Sequence, residues 1–207
     1  MMKLHNIFHN DLPSNIKFSG SIAIDTESLG LNITRDRLCL CQISDEHQNV
    51  YFVKFDGKDY SAPNLRKILE DQSILKIFHY ARFDVGTLSY YLNIPKITPI
   101  FCTKIASKLV RTYTDAHGLK AICKELLDVE LEKESQISYW GAEKLTEKQK
   151  RYAANDVIYL HKIKDILLER LKGQNRMEIA QGFFDVINTV CKCDCAGFDS
   201  AFMINHH

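Results

Sequence analysis

Apolar residues fall in short runs along the first hundred positions and at helical spacing after that. Residues 20–25, 38–44 and 50–54 are brief apolar stretches of the length of buried strands. Polar Asp45-Glu46-His47-Gln48-Asn49 separates the last two and reads as a hairpin connection. Ala62-Pro63 opens a helix to about residue 70, with proline favoured in the first turn. Residues 74–78 read as a fourth buried strand, and 83–92 as a helix that stops before Pro95. From 103 onward the pattern is mostly helical, punctuated by Gly118 and Gly141. The longest helix is predicted over 146–172. Thr146-Glu147-Lys148-Gln149 has the form of a capping box, Val157, Leu160, Ile163 and Leu167 share an apolar face, and Gly173 marks a stop. From 176 a further amphipathic helix leads into a Cys-rich end. Three early strands, a fourth after a helix, then helices predict an α/β domain with a mixed sheet.

Composition narrows the partners more than the fold. With 207 residues, 45% hydrophobic and 26% charged, the chain fits one globular domain rather than a disordered one. No apolar run approaches the ~18 residues of a membrane span, and the start lacks the apolar stretch of a signal peptide. Seven Cys, an odd number, then read as reduced thiols of a cytoplasmic protein. Cys191, Cys193 and Cys195 alternate near the end without a second cluster at zinc-site spacing, so tail thiols or packing are expected there. Lys and Arg number 27 against 26 Asp and Glu, a net charge of +1. A protein that grips long nucleic acid by its backbone is usually more basic. Nucleic-acid chemistry here would involve a short substrate or a locally basic site.

The first chemical signal is Ile22-Ala23-Ile24-Asp25-Thr26-Glu27, a buried strand ending in two acids at i, i+2. Strand alternation puts both on one face, where they repel each other unless a cation intervenes; hard divalent metals take such oxygen ligands, and a solvated strand end is the alternative. Asp128-Val129-Glu130 has the same spacing but follows a helix and precedes the charged run 132–134, so it reads as surface. The second signal is Asp84, where the strand of 74–78 emerges into a helix; it is either a helix cap or a carboxylate facing the first pair. The third is Tyr152-Ala153-Ala154-Asn155-Asp156, which puts Tyr152 and Asp156 on one helix face beside the apolar stripe. A core tyrosine is the plainer reading of Tyr152. Four carboxylates supply enough anionic oxygen for two metal ions ~3.5–4 Å apart, with the tyrosine hydroxyl left to position a water.

Asp25-x-Glu27, Asp84 and Tyr152-x3-Asp156 resemble the DEDDy branch of 3′–5′ exonucleases, the ribonuclease D type. Lys76-Ile-Phe-His-Tyr-Ala-Arg-Phe-Asp84, the stretch 101–115, His117-Gly-Leu-Lys120 and Asp156-Val-Ile-Tyr-Leu-His161 look like the short bacterial nano-RNase C (NrnC) oligoribonucleases. The resemblance covers residues 11–172. It implies an RNase H-like fold with a five-stranded mixed sheet flanked by helices. It divides the chain into an exonuclease domain, 1–172, and a helical, Cys-rich extension, 173–207, packed on it, without the HRDC domains of full ribonuclease D. It implies Asp25, Glu27, Asp84 and Asp156 as ligands of two Mg²⁺ or Mn²⁺ ions and Tyr152 as the residue that orients water. The implied substrate is very short single-stranded RNA, down to dinucleotides, cleaved to nucleoside 5′-monophosphates by a homo-octameric ring. A broader 3′–5′ exonuclease trimming longer RNA or DNA is the alternative, and a non-catalytic RNA-binding module the more distant one.

Leu31, four after Glu27, matches the apolar residue that wedges between bases in related oligoribonucleases; loop packing is its alternative. Residues 104–124 hold Lys104, Lys108, Arg111, Lys120 and Lys124 against one acid, with Tyr113 and His117 among them. Arg111, Tyr113 and His117 are candidates for a terminal phosphate, as are His79 and Arg82 beside Asp84. A structural hydrogen bond is the other reading of His79. In Ser138-Tyr139-Trp140, relatives often carry Asp where Tyr139 stands; Trp140 is expected to pack or stack near the site.

Overall fold

The computed structural model describes residues 3–131 and 138–198. The charged run 132–134 lies outside the described residues. Strands β1 (Lys3–His9), β2 (Ser21–Ser28), β3 (Leu38–Asp45), β4 (Asn49–Lys54), β5 (Leu75–Phe78) and β6 (Ile100–Cys102) form one sheet in the order β1-β4-β3-β2-β5-β6. β3 pairs antiparallel with β2 and β4, whereas β5 and β6 continue parallel to β2, and β1 runs parallel to β4. The mixed α/β fold is the one expected, with six strands among the described residues where five were expected. β1 and β6 are the additions to the elements read from hydropathy. Lys-Leu-His-Asn-Ile-Phe-His has no clean alternation, and the three residues of β6 are too few to show one.

The helices are α1 (Pro63–Glu70), α2 (Ala81–Tyr91), α3 (Thr103–Val110), α4 (Leu119–Leu127), α5 (Glu147–Ile158), α6 (Leu160–Gly173) and α7 (Met177–Cys195). β3 is buried along all but its last residue, as a central strand covered on both faces must be. α1 takes its cap from far along the chain: Asp11 accepts hydrogen bonds from the backbone N–H groups of Asn64 (3.0 Å) and Leu65 (2.9 Å). The capping box of α5 is formed, with Gln149 N–H donating to Thr146 Oγ1 (3.2 Å) and Thr146 N–H donating to Gln149 Oε1 (2.9 Å).

The helix predicted over 146–172 is two helices, broken at Tyr159. Val157, Leu160, Ile163 and Leu167 are all buried, so the apolar stripe runs straight through the break and gives no sign of it. Neither Pro nor Gly stands at the junction. There His161 ties α6 to the sheet: its Nε2 donates to the Ser44 carbonyl (3.0 Å) and its Nδ1 meets Ser21 Oγ (3.2 Å). α7 packs on α2, α3 and α6. Asn188 of α7 bonds both the N–H (3.0 Å) and the carbonyl (2.9 Å) of Ile97. All seven cysteines are free. Among the described residues no helix is long and apolar enough to cross a membrane.

Candidate active site

Parallel β2 and β5 end at the same edge of the sheet, and the chemistry gathers there. Asp25 and Glu27 share one face of β2, opposite Gln42 and Leu40 of β3. The register slips between Glu27 and Ser28, a bulge that ends regular pairing just past the second acid. α5 packs across β2, β3 and β4 and brings Asp156 to the pair. One carboxylate oxygen each from Asp25, Glu27 and Asp156 lies within 4.8 Å of the others.

Asp84 stands in the first turn of α2 and is 3% exposed. It does not cap that helix. Its Oδ1 accepts from the backbone N–H (3.0 Å) and the hydroxyl (2.7 Å) of Thr26, the residue between the two β2 acids. The link fixes α2 against β2 and leaves Asp84 close enough for its charge to raise the pKa values of Asp25 and Glu27.

Burial is the main force on all four acids. It raises Asp25 far above the usual carboxylate range, helped by the charges of Asp84, Asp156 and Glu27. Burial, then Asp156 and Asp84, pushes Glu27 up to about 9. Asp84 and Asp156 rise to about 7 through burial, opposed by hydrogen bonds from Thr26 and from Tyr152 respectively. No Lys, Arg or His side chain is ion-paired with any of the four among the described residues. Crowded, desolvated carboxylates without a basic partner are a donor set for hard divalent cations. Asp128 and Glu130 behave differently: both are exposed, and both pair with Lys124 at 3.1 and 3.0 Å.

Tyr152 is half-buried beside Asp156. Burial, then the charges of Asp156, Glu27 and Asp25, raise its hydroxyl pKa, so the phenol stays protonated and able to donate. Trp140 is buried and lies against Tyr152, ring centroids 6.1 Å apart.

The expected substrate contacts divide into accessible and committed groups. Leu31 is 86% exposed in the loop after β2. It lines a cavity of about 560 Å³ with Ile33, Tyr80, Arg82 and the end of α7. His79 bonds Thr103 Oγ1 through Nδ1 (2.9 Å); burial and nearby Lys104 lower its pKa to about 3, so it is neutral. Arg82 forms a bidentate pair with Asp194 of α7 at 2.7 and 2.6 Å while staying partly exposed. Tyr113 is exposed, its hydroxyl donating to Glu125 (2.5 Å), and His117 Nδ1 meets Ser107 Oγ (2.9 Å). Arg111 is 1% exposed. Its guanidinium is held by both Glu125 oxygens, Ser107 Oγ and the Ala116 carbonyl. It is a bracket for the 107–125 segment rather than a free phosphate ligand.

Three further residues at the site were missed from sequence. Thr26 is the donor to Asp84, Gln42 donates to Asp25 (2.5 Å), and Tyr80 is exposed beneath Lys104, whose Nζ lies 4.1 Å from the ring centre. A lone carboxamide in the apolar run 38–43 was the one available signal for Gln42. Nothing in sequence pairs Thr26 with Asp84.

A family model described as 3′-5′ exonuclease matches residues 5–172. The chain is 30% identical to ribonuclease D of Gluconacetobacter diazotrophicus over 158 residues, 76% of this chain and 39% of that one. It is 36% identical to DNA polymerase I of Aquifex aeolicus over 150 residues, 70% of this chain and 24% of that one. It thus spans about two fifths or less of the length of these curated relatives. Among solved structures, Brucella melitensis NrnC with bound Mg²⁺ superposes with a TM-score of 0.93 at 43% identity, covering 100% of both chains. The same protein bound to pGG matches with a TM-score of 0.93 at 44% identity, again over 100% of both.

Proposed function

The chain belongs to the 3′–5′ exonuclease family, and from that premise we propose that its acidic cluster hydrolyses very short single-stranded RNA, down to dinucleotides, from the 3′ end to nucleoside 5′-monophosphates. The observation that carries this reading is the meeting of Asp25, Glu27 and Asp156 within 4.8 Å, with Asp84 pinned beside them. The preference for short RNA rests on the full-length likeness to an NrnC solved with pGG.

Asp25, Glu27, Asp84 and Asp156 would hold two divalent cations, Mg²⁺ or Mn²⁺. These would supply a Lewis acid and a bound water of lowered pKa. The chain's own residues do the rest. Tyr152, protonated and next to Asp156, orients the attacking water. The carboxylates, buried and poor in basic partners, hold protons in the absence of cations and would give them up as cations enter. Exposed Leu31 wedges between the bases. Neutral His79, with Arg82, Tyr113 and His117, contacts phosphate. Buried Arg111 and Trp140 act through the segments they hold. The segment 173–207 serves as an extension of the exonuclease domain at 1–172. Reduced cysteines suit work in the cytoplasm. A homo-octamer is the assembly expected from the resemblance, and light scattering on a sizing column reads it directly.

The test is a time course on 5′-labelled RNA with Mn²⁺, comparing a dinucleotide, a heptamer, a 24-mer and a DNA duplex. Dinucleotide cleavage is expected to be fastest. Asp25→Asn should be inactive on every substrate while its metal-free form still folds, melting at or above the wild-type temperature, and wild-type activity in that variant would sink the assignment. Faster trimming of the 24-mer or duplex would move the function to general end-processing, the reading that the identity to a DNA polymerase favours.

A further inference from the structure

We propose that Gln42 is the positioning residue for Asp25: its amide holds one carboxylate oxygen, so that Asp25 stays grouped with Glu27 and Asp156. The inference rests on the metal-site reading above and adds a residue that the acid motif does not contain.

Gln42 sits in the middle of β3, directly across from Asp25 in the antiparallel register. It is 0% exposed, in a strand otherwise apolar from Leu38 to Ile43. Its Nε2 donates to Asp25 Oδ2, and its Oε1 is buried without a partner. An orphaned amide oxygen in the core destabilises the fold. Methionine, of nearly the same length and shape, would fill the space without that cost. What the carboxamide adds over an apolar side chain is therefore its N–H group, and that group points at an acid. The orientation suits an Asp25 ionised by a bound cation, which only accepts; a flipped amide would then set its oxygen against the carboxylate. Thr26 does the corresponding work for Asp84 with two donors to a single oxygen. Both acids thus present one pinned oxygen, the arrangement that orients metal-binding carboxylates through outer hydrogen bonds.

The experiment titrates Mn²⁺ into the metal-free wild type, Gln42→Met and Gln42→Leu by calorimetry, with melting curves of each metal-free protein. Mn²⁺ affinity is expected to fall about 10-fold or more in both variants. The Mn²⁺ concentration for half-maximal dinucleotide cleavage should rise by the same factor. Metal-free Gln42→Met should melt close to the wild-type temperature, since it removes the orphaned oxygen but also the donor to Asp25. Unchanged Mn²⁺ affinity in both variants would overturn the proposal. So would an affinity loss matched by a fall in metal-free melting temperature, since Gln42 would then be a packing residue. Failure of the wild type to bind Mn²⁺ would instead overturn the metal-site reading itself, and the inference with it.

Discussion

Asp84 takes two hydrogen bonds from Thr26 and Asp25 one from Gln42, while Tyr152 leans on Asp156 from the same helix. The acids were legible because each carried a local pattern: a doublet at a strand end, an acid at a helix start, a Tyr and Asp one turn apart. Their keepers were not, because a donor across a strand pair is defined by register, which short apolar runs do not encode. Arg111 shows the same limit from the other side. A basic residue among lysines and hydroxyls invites a phosphate, yet it is buried on Glu125, which lies fourteen residues away. At this scale the sharpest prediction concerns Tyr152. Tyr152→Phe should lower kcat by about 100-fold, the size of a lost proton-handling or water-orienting group, with Mn²⁺ affinity unchanged. Single-turnover kinetics beside a Mn²⁺ titration would check both halves.

Elements were readable where local chemistry decides their limits. Thr146 and Gln149 close a box within four residues, so the start of α5 was visible. α1 has its proline, but its cap is Asp11, fifty-three residues before Asn64, and no local rule finds it. The break at Tyr159 was hidden because the buried stripe keeps its period across it. Gly173 ends α6 as expected, but the positive φ there falls on Asn175 (55°), two residues later. Asp11→Ala should cost about 1 kcal/mol of stability, as cap removals do, and leave dinucleotide cleavage unchanged. Urea denaturation with a parallel activity assay would show whether that cap is separate from the site.

For the whole molecule, four buried acids make the metal-free fold sensitive to pH. A carboxyl whose folded pKa is raised contributes stability that is fully present below the unfolded pKa and is lost as pH climbs through the folded one. Asp84 and Asp156, raised to about 7, and Glu27, raised to about 9, all lose that contribution as pH rises past neutrality. His79 and His161 have lowered pKa values and act the opposite way, but below about pH 6.5, where free histidine titrates. Between about pH 6.5 and about pH 8 the acids dominate, and the chelator-treated protein should lose about 5 °C or more of melting temperature. Mn²⁺ should restore most of it at the upper end, and a flat profile without metal would contradict the buried cluster. The same cluster also has an order of manufacture. Asp25, Glu27 and Asp84 are made early, but Asp156 and Tyr152 come only with α5, which must then dock across β2 and β3. A chain still growing on the ribosome, held beside the message it is read from, therefore carries an incomplete set of acids. The four acids and their tyrosine come together only once α5 has emerged and docked.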